Sequence, residues 1–233
     1  MARVPLISRK EDLAPEHQAA FDAIAESRGR VAGPFALLLH SPEVAKRAAH
    51  LGAYIRFESS LAGAERELAI LATARAMDCR YEWAAHVPLA EKAGVRLEAI
   101  TAIRGRQAPA GLTPAEAEIV AYATELLGGH RVGGGLFEGL RKRLGARGMV
   151  ELTATVGYYA MIASTLNAFE VEECFFHCPK AFRRAGLWDP ERWLDRAALP
   201  SMARVLFDQV RPAGKTVEEY ERESEEGLKR TLY

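Results

Sequence analysis

Apolar residues recur along most of the chain at spacings of three and four, which is the period of one face of a helix. After Pro42 such a stripe is formed by Val44, Ala48, Leu51, Tyr54 and Ile55. No segment alternates apolar and polar residues with the period of two that a half-buried strand requires. The pattern therefore predicts an all-α fold.

Capping residues indicate where several of these helices begin. Ser41 followed by Pro42 is typical of an N-cap with proline at the first helical position. The run Thr113-Pro114-Ala115-Glu116 has the form of a capping box. The long, mostly apolar segment 146–169 is predicted to be the central helix, against which the others pack.

Composition restricts the classes of partner. The 233 residues contain 31 Lys and Arg and 31 Asp and Glu, so no net field favours nucleic acid or an anionic membrane. No apolar run approaches the roughly 20 residues of a membrane-spanning helix, and the first residues lack the apolar stretch of a signal peptide. Three cysteines without a regular framework are typical of a reducing compartment. We expect a soluble cytoplasmic protein that binds neither nucleic acid nor membrane.

One cluster of residue types suggests acid–base chemistry. Glu67 precedes the run Cys79-Arg80-Tyr81-Glu82-Trp83-Ala84-Ala85-His86. Cys79, Glu82 and His86 stand at positions i, i+3 and i+7, which line one face of a helix. A carboxylate and an imidazole are costly to bury unless they are paired, and burial with pairing is how catalytic pKa values are tuned. Spacing alone, however, favours an ordinary Glu–His pair on the surface.

The same residues resemble a known family. Glu67, Cys79, Glu82 and His86, followed by Leu89-Ala90-x-x-Ala93-Gly94-Val95, are similar to the core of the AhpD-like superfamily, which contains alkylhydroperoxidase D and the carboxymuconolactone decarboxylases. The peroxidases of that superfamily use a Cys-x-x-Cys pair, and here Glu82 occupies the position of the peroxide-attacking cysteine. Reduction of peroxide by a dithiol needs two neighbouring thiols. The resemblance therefore indicates the carboxymuconolactone decarboxylase-like branch.

This resemblance extends over residues 1–172 and implies an AhpD-like helical bundle that assembles as a homo-oligomer, a trimer or a hexamer. Residues 173–233 are rich in proline and aromatic side chains on a segment too short to bury them alone. We expect them to form an extended helical C-terminal arm packed on a neighbouring subunit.

The implied function is a cofactor-independent carboxymuconolactone decarboxylase-like lyase or isomerase. Its small-molecule substrate would be a carboxylated lactone or an enolisable acid, in the catabolism of aromatic compounds. In this interpretation His86 delivers a proton, Glu82 holds or restores it, and Glu67 sets the geometry. The alternatives are an AhpD-like thiol redox protein that uses Cys79 alone, and a non-enzymatic small-molecule-binding or scaffold protein.

Some candidate substrate-binding residues lie in or beside this motif, and others lie on the long apolar helix. They are Cys79, Trp83, Arg75, Tyr158 and Asn167. The guanidinium fork of Arg75 is suited to a substrate carboxylate, and a buried Tyr or Asn needs a hydrogen-bond partner that a substrate could supply. Each also has a structural interpretation. The cysteine would be a small buried thiol, the aromatic rings would belong to the core, the arginine would lie on the surface, and the Tyr or Asn would bond to the backbone.

The sequence predicts no metal and no cofactor. Cys174-x-x-His177-Cys178 supplies only three ligands and has no matching second pair. The run 175–190 resembles the C-terminal tail of some flavin-binding split-barrel proteins, but the barrel that precedes such a tail is absent here. We therefore do not expect flavin to bind.

Overall fold

The computed structural model describes residues 2–107, 109–171 and 216. One compact unit runs from Met1 to Val171. The predicted C-terminal arm, its resemblance to a flavoprotein tail and the Cys174–Cys178 motif lie outside the described residues.

The described part of the chain is helical and contains no strand, so the all-α prediction is confirmed. Its α-helices are α1 Gln18–Arg28, α2 Pro34–Leu38, α3 Pro42–Ala53, α4 Gly63–Ala76, α5 Arg80–Lys92, α6 Leu97–Arg104, α7 Pro114–Gly129 and α8 Gly134–Ala168. Two short 3₁₀ turns precede α1, and a π-helical turn, Tyr54–Glu58, follows α3 directly. Within this part, no helix has both the length and the apolar character needed to cross a membrane.

Helix ends follow the predicted capping chemistry with one exception. The Thr113 backbone N–H donates to the Glu116 carboxylate and the Glu116 N–H donates to the Thr113 hydroxyl, which completes the capping box. Pro42 is the first residue of α3, as predicted, but the side chain of Ser41 makes no capping hydrogen bond.

The innermost helix is α4, which contacts α5, α6, α7 and α8. Every residue from Glu67 to Ala74 is buried, so this helix is enclosed on all sides. Segment 146–169, predicted to be the central helix, belongs to α8, which contacts α2, α4, α5, α7 and the π-helical turn, but α4 is the more completely buried of the two. Small alanine side chains allow α4 to be surrounded by its neighbours, and α8 packs against it with one face.

A tight turn between α4 and α5 positions the acid–base residues. Met77 to Cys79 form the connection, and Asp78 has a φ of +48°, a left-handed conformation that aspartate tolerates better than most residues. Cys79 is the N-cap of α5 and therefore precedes the helix instead of lying on its face. The two helices pack against each other, so Glu67 on α4 comes beside His86 on α5.

Candidate active site

His86 lies between two buried carboxyl groups. Its Nδ1 is 2.8 Å from Oε2 of Glu67, and its Nε2 is 3.5 Å from Oε2 of Glu82. The exposed fractions of Glu67, Glu82 and His86 are only 4%, 4% and 5%. Glu67 and His86 are therefore in hydrogen-bond contact, and the burial of all three side chains does not fit an ordinary surface pair.

The two contacts of His86 differ in kind. The 2.8 Å separation is a full hydrogen bond, whereas 3.5 Å is long for one. When the neutral imidazole donates its Nδ1–H to Glu67, the Nε2 lone pair faces Glu82. Glu67 therefore fixes the tautomer and orientation of the ring, and Glu82 is the group with which Nε2 can exchange a proton.

Glu82 is held in a form suited to proton donation. Burial raises the pKa of its carboxyl above the ordinary value, and the negative charge of Glu67 acts in the same direction. The positive charges of His86, Arg56 and Arg28 oppose this rise without cancelling it. Glu82 consequently keeps its proton to higher pH than an exposed glutamate does.

One tyrosine of α8 packs against the imidazole, and a second tyrosine packs against the first. The Tyr159 ring meets His86 edge-on, with 4.9 Å between ring centroids, and Tyr158 packs edge-on against Tyr159 at 5.2 Å. Burial raises the pKa of Tyr158 to about 12 and that of Tyr159 well above its usual value, so both hydroxyls stay neutral. Tyr158 was among the predicted residues and Tyr159 was not. Tyr159 lies one helical turn from the buried Thr155 and Ile162 and two turns from the buried Leu166. This spacing on one helix face could have identified it.

Sequence reasoning missed two arginines near Glu82. Arg28 is the last residue of α1, and Arg56 lies in the π-helical turn after α3. Both are half-buried, and both positive charges act on the pKa of Glu82. No local spacing connects positions 28, 56 and 82, so only the assembled fold brings them together.

The structure does not bring Arg75 or Asn167 to this cluster. Arg75 donates from Nε to the Arg104 carbonyl at 2.8 Å and from Nη1 to Asp78 at 2.6 Å. Asn167 is exposed, and its amide donates to the Met77 carbonyl at 2.7 Å. It also lies eight residues from Tyr159, about 12 Å along the helix. These two side chains hold the α4–α5 turn to neighbouring elements.

Comparison with known proteins agrees with this geometry. Residues 42–125, which include Glu67, Glu82 and His86, match the model of the carboxymuconolactone decarboxylase family. A similar solved structure is the alkylhydroperoxidase AhpD core of an uncharacterized peroxidase-related protein from Ralstonia eutropha JMP134. It is 18% identical, with a TM-score of 0.61, and the match covers 73% of this chain and 91% of that chain. Residues 42–125 are thus similar to the carboxymuconolactone decarboxylase family, and they lie within an AhpD-like fold.

At 18% identity the structural likeness shows the AhpD-like fold alone. No curated protein matches the sequence.

Two of the predicted substrate-binding residues are almost fully enclosed. Trp83 is 3% exposed, and its indole N–H has no hydrogen-bond partner among the described residues. Cys79 is 2% exposed, and burial raises the pKa of its thiol to about 12, with the charge of Glu82 acting in the same direction. A thiol with so high a pKa is a poor nucleophile at neutral pH.

We expect Cys79 to resist alkylation in the folded protein. In a Cys174→Ser, Cys178→Ser variant Cys79 is the only thiol, and iodoacetamide at pH 8 should label it about a thousandfold more slowly than a free thiol, because its thiolate fraction is smaller. Mass spectrometry of timed samples measures this rate, with the protein unfolded in guanidinium as the fully labelled control. Rapid labelling, or lipoamide- or thioredoxin-coupled peroxide turnover that disappears in Cys79→Ser, would instead support the thiol redox alternative.

Proposed function

We propose that this protein is a cofactor-independent lyase or isomerase of the carboxymuconolactone decarboxylase type, acting on a small carboxylated lactone or a related enolisable acid. The observation that carries the proposal is the buried Glu67–His86–Glu82 array. It contains an oriented imidazole whose Nε2 faces a carboxyl with a raised pKa. Such a pair can supply or remove a proton at a carbon atom held beside it.

The proposed reaction balances with these groups alone. The bond between the substrate carbon and its carboxylate breaks, carbon dioxide leaves, and the electron pair remains on the carbon as an enolate. Glu82 first passes its proton to Nε2 of His86, and His86 then gives that proton to the carbon. The hydrogen bond from Nδ1 to Glu67 stabilises the imidazolium while it carries both protons. Solvent finally returns a proton to Glu82.

The family resemblance adds two further proposals. One is assembly as a homo-oligomer, a trimer or a hexamer, and the other is a cytoplasmic location with a role in the catabolism of aromatic compounds. Measuring the molar mass of the full chain by light scattering tests the first of these.

The decisive experiment is a panel of small carboxylated lactones incubated with the purified full chain in D₂O. We expect one or more of them to release carbon dioxide without any added cofactor. The product should carry one deuterium at the carbon that lost the carboxylate, and NMR detects it there. A panel in which no member loses carbon dioxide or exchanges a proton faster than in the His86→Ala control would contradict the proposal.

A further inference from the structure

We propose that Arg28 and Arg56 form an anion subsite that binds a carboxylate of the substrate beside Glu82 and His86. This inference deepens the proposed function by assigning the residues that recognise the substrate, and its consequence for catalysis rests on that function.

The fold holds Arg28 in place but leaves its Nε without a hydrogen-bond partner among the described residues. Its Cζ lies 4.0 Å from the centroid of the Phe35 ring, and its Nη2 donates to the Ala49 carbonyl at 3.1 Å. Its Nε is buried and has no hydrogen-bond partner in the part of the chain that the structure describes. A buried donor without a partner costs free energy, and an anion bound at the fork would satisfy it.

Neither arginine has a carboxylate partner among the described residues. Other arginines of the bundle do: Arg75 pairs with Asp78, and Arg96 pairs with Glu116. No such ion pair within 4.0 Å joins Arg28 or Arg56 to an acidic side chain of the described chain, although both charges reach Glu82. Glu82 itself makes no ion pair with either arginine, so their positive charge is available to an anionic ligand.

The two arginines also act on each other. Burial lowers the pKa of Arg28, and the positive charge of Arg56 lowers it further. Two half-buried like charges are costly to hold together without a counter-ion. A bound carboxylate removes both costs, which is the usual reason for paired arginines in anion sites.

Gly52 provides the space that this arrangement needs. A Cβ at that position would collide with the Tyr158 hydroxyl and lie 2.9 Å from Nη2 of Arg28. The missing side chain therefore lets both groups approach α3. Because the pKa of Tyr158 is raised to about 12, its hydroxyl remains a neutral hydrogen-bond donor beside the arginines.

The subsite also indicates which carboxylate it holds. Arginine stabilises an ionised carboxylate and thereby opposes its loss as carbon dioxide. The group bound by Arg28 and Arg56 therefore stays on the product, while the departing group lies nearer His86. The substrate class is a lactone or enolisable acid with an anionic group in addition to the one that it loses.

Binding of a matched pair of probes tests the subsite without requiring turnover. The probes are γ-butyrolactone-γ-carboxylate and uncharged γ-butyrolactone, titrated calorimetrically into the full chain. We expect the acid to bind more tightly than the neutral lactone. Arg28→Gln and Arg56→Gln should each weaken binding of the acid about 10- to 100-fold and leave the neutral lactone unaffected. Arg47→Gln is the matched control, since Arg47 is an exposed arginine of α3 paired with Glu43.

Equal binding of both probes to the wild-type protein, no binding of either, or unchanged binding of the acid by both variants overturns the subsite. If Arg28→Gln does not fold, Arg28→Lys replaces it, because it keeps the charge and loses the planar fork. Acid binding that needs the arginines without carbon dioxide release from any panel member leaves the subsite standing and removes the proposed function. Carbon dioxide release with unchanged KM in both variants removes the subsite and leaves the proposed function standing.

Discussion

His86→Ala is expected to lower turnover of the lactone acid about 10²- to 10⁴-fold, the range for loss of a general acid–base group. Glu82→Ala and Glu67→Ala should each lose most activity too, since one carboxyl exchanges the proton and the other orients the ring. A double variant of His86 and Glu82 should lose little more than either single variant, because residues that act as a unit are not additive. Steady-state rates of carbon dioxide release measure all of these.

The matched control is His50→Ala, which removes an exposed histidine of α3 and should leave the rate unchanged. Rates within threefold of wild type in all the His86 and Glu82 variants would exclude the proton-transfer role.

Glu82→Gln separates a catalytic role from a structural one. The folded protein holds the Glu82 proton more tightly than the unfolded chain does, because its pKa is raised. Stability from this group therefore falls as pH rises from the ordinary pKa of a glutamate towards the raised folded one. Glutamine cannot ionise, so the variant should gain stability relative to wild type as pH rises above the ordinary pKa of a glutamate, while it loses activity. A purely structural Glu82 would instead give a variant that is less stable throughout.

Glu151→Ala should destabilise the fold by about 2–4 kcal/mol, the range expected when a buried, hydrogen-bonded carboxylate is removed. Glu151 is 5% exposed. It accepts hydrogen bonds from the Tyr54 hydroxyl at 2.6 Å, the Ser60 N–H at 2.7 Å and Arg147 Nε at 2.9 Å. These bonds join the π-helical turn and the segment after it to α8. Urea unfolding at pH 7 measures the loss.

Glu138→Ala provides the comparison, because that carboxylate pairs with Arg141 at an exposed site and such pairs contribute about 0–1 kcal/mol. Equal stability losses in the two variants would show that the network around Glu151 adds nothing beyond an ordinary surface pair.

The contribution of Glu151 should also depend on pH. Hydrogen bonds from Ser60, Tyr54 and Arg147 outweigh the effect of burial and lower the pKa of its carboxyl to about 2, from an ordinary value of 4.5. The stabilisation is therefore complete above pH 4.5 and declines as pH falls towards 2. The difference in unfolding free energy between wild type and Glu151→Gln should shrink correspondingly between pH 7 and pH 2.5.

The sequence predicted the features of the fold that depend on local chemistry. The capping box at Thr113 and the proline at the start of α3 are read from four residues or fewer. The predicted start of a helix at residue 146 corresponds to the interruption of α8 at Gly145, where φ is +69° and ψ is 176°. The central position of α4 was not predictable in this way, because an alanine-rich helix has little contrast between its faces.

The same distinction between local spacing and tertiary packing applies to the candidate site. Glu82 and His86 are four residues apart on one helix, so their spacing brings them together, and the family pattern added Glu67. Arg28 and Arg56 were missed because their position depends on how α1 and the π-helical turn pack in the bundle. Arg75 was a reasonable expectation from its distance of one turn to Cys79, but Asp78 and the Arg104 carbonyl occupy its guanidinium.

Enclosure of α4 on every side has a consequence for how this protein can change. Glu67 sits in the part of the bundle whose backbone amides should exchange with solvent most slowly, so its alignment with His86 is insensitive to substitutions at the periphery. Arg28 and Arg56, by contrast, stand at the end of one helix and in a short irregular turn. A laboratory search for new substrates can therefore vary positions 28 and 56 without moving the proton-transfer residues relative to one another.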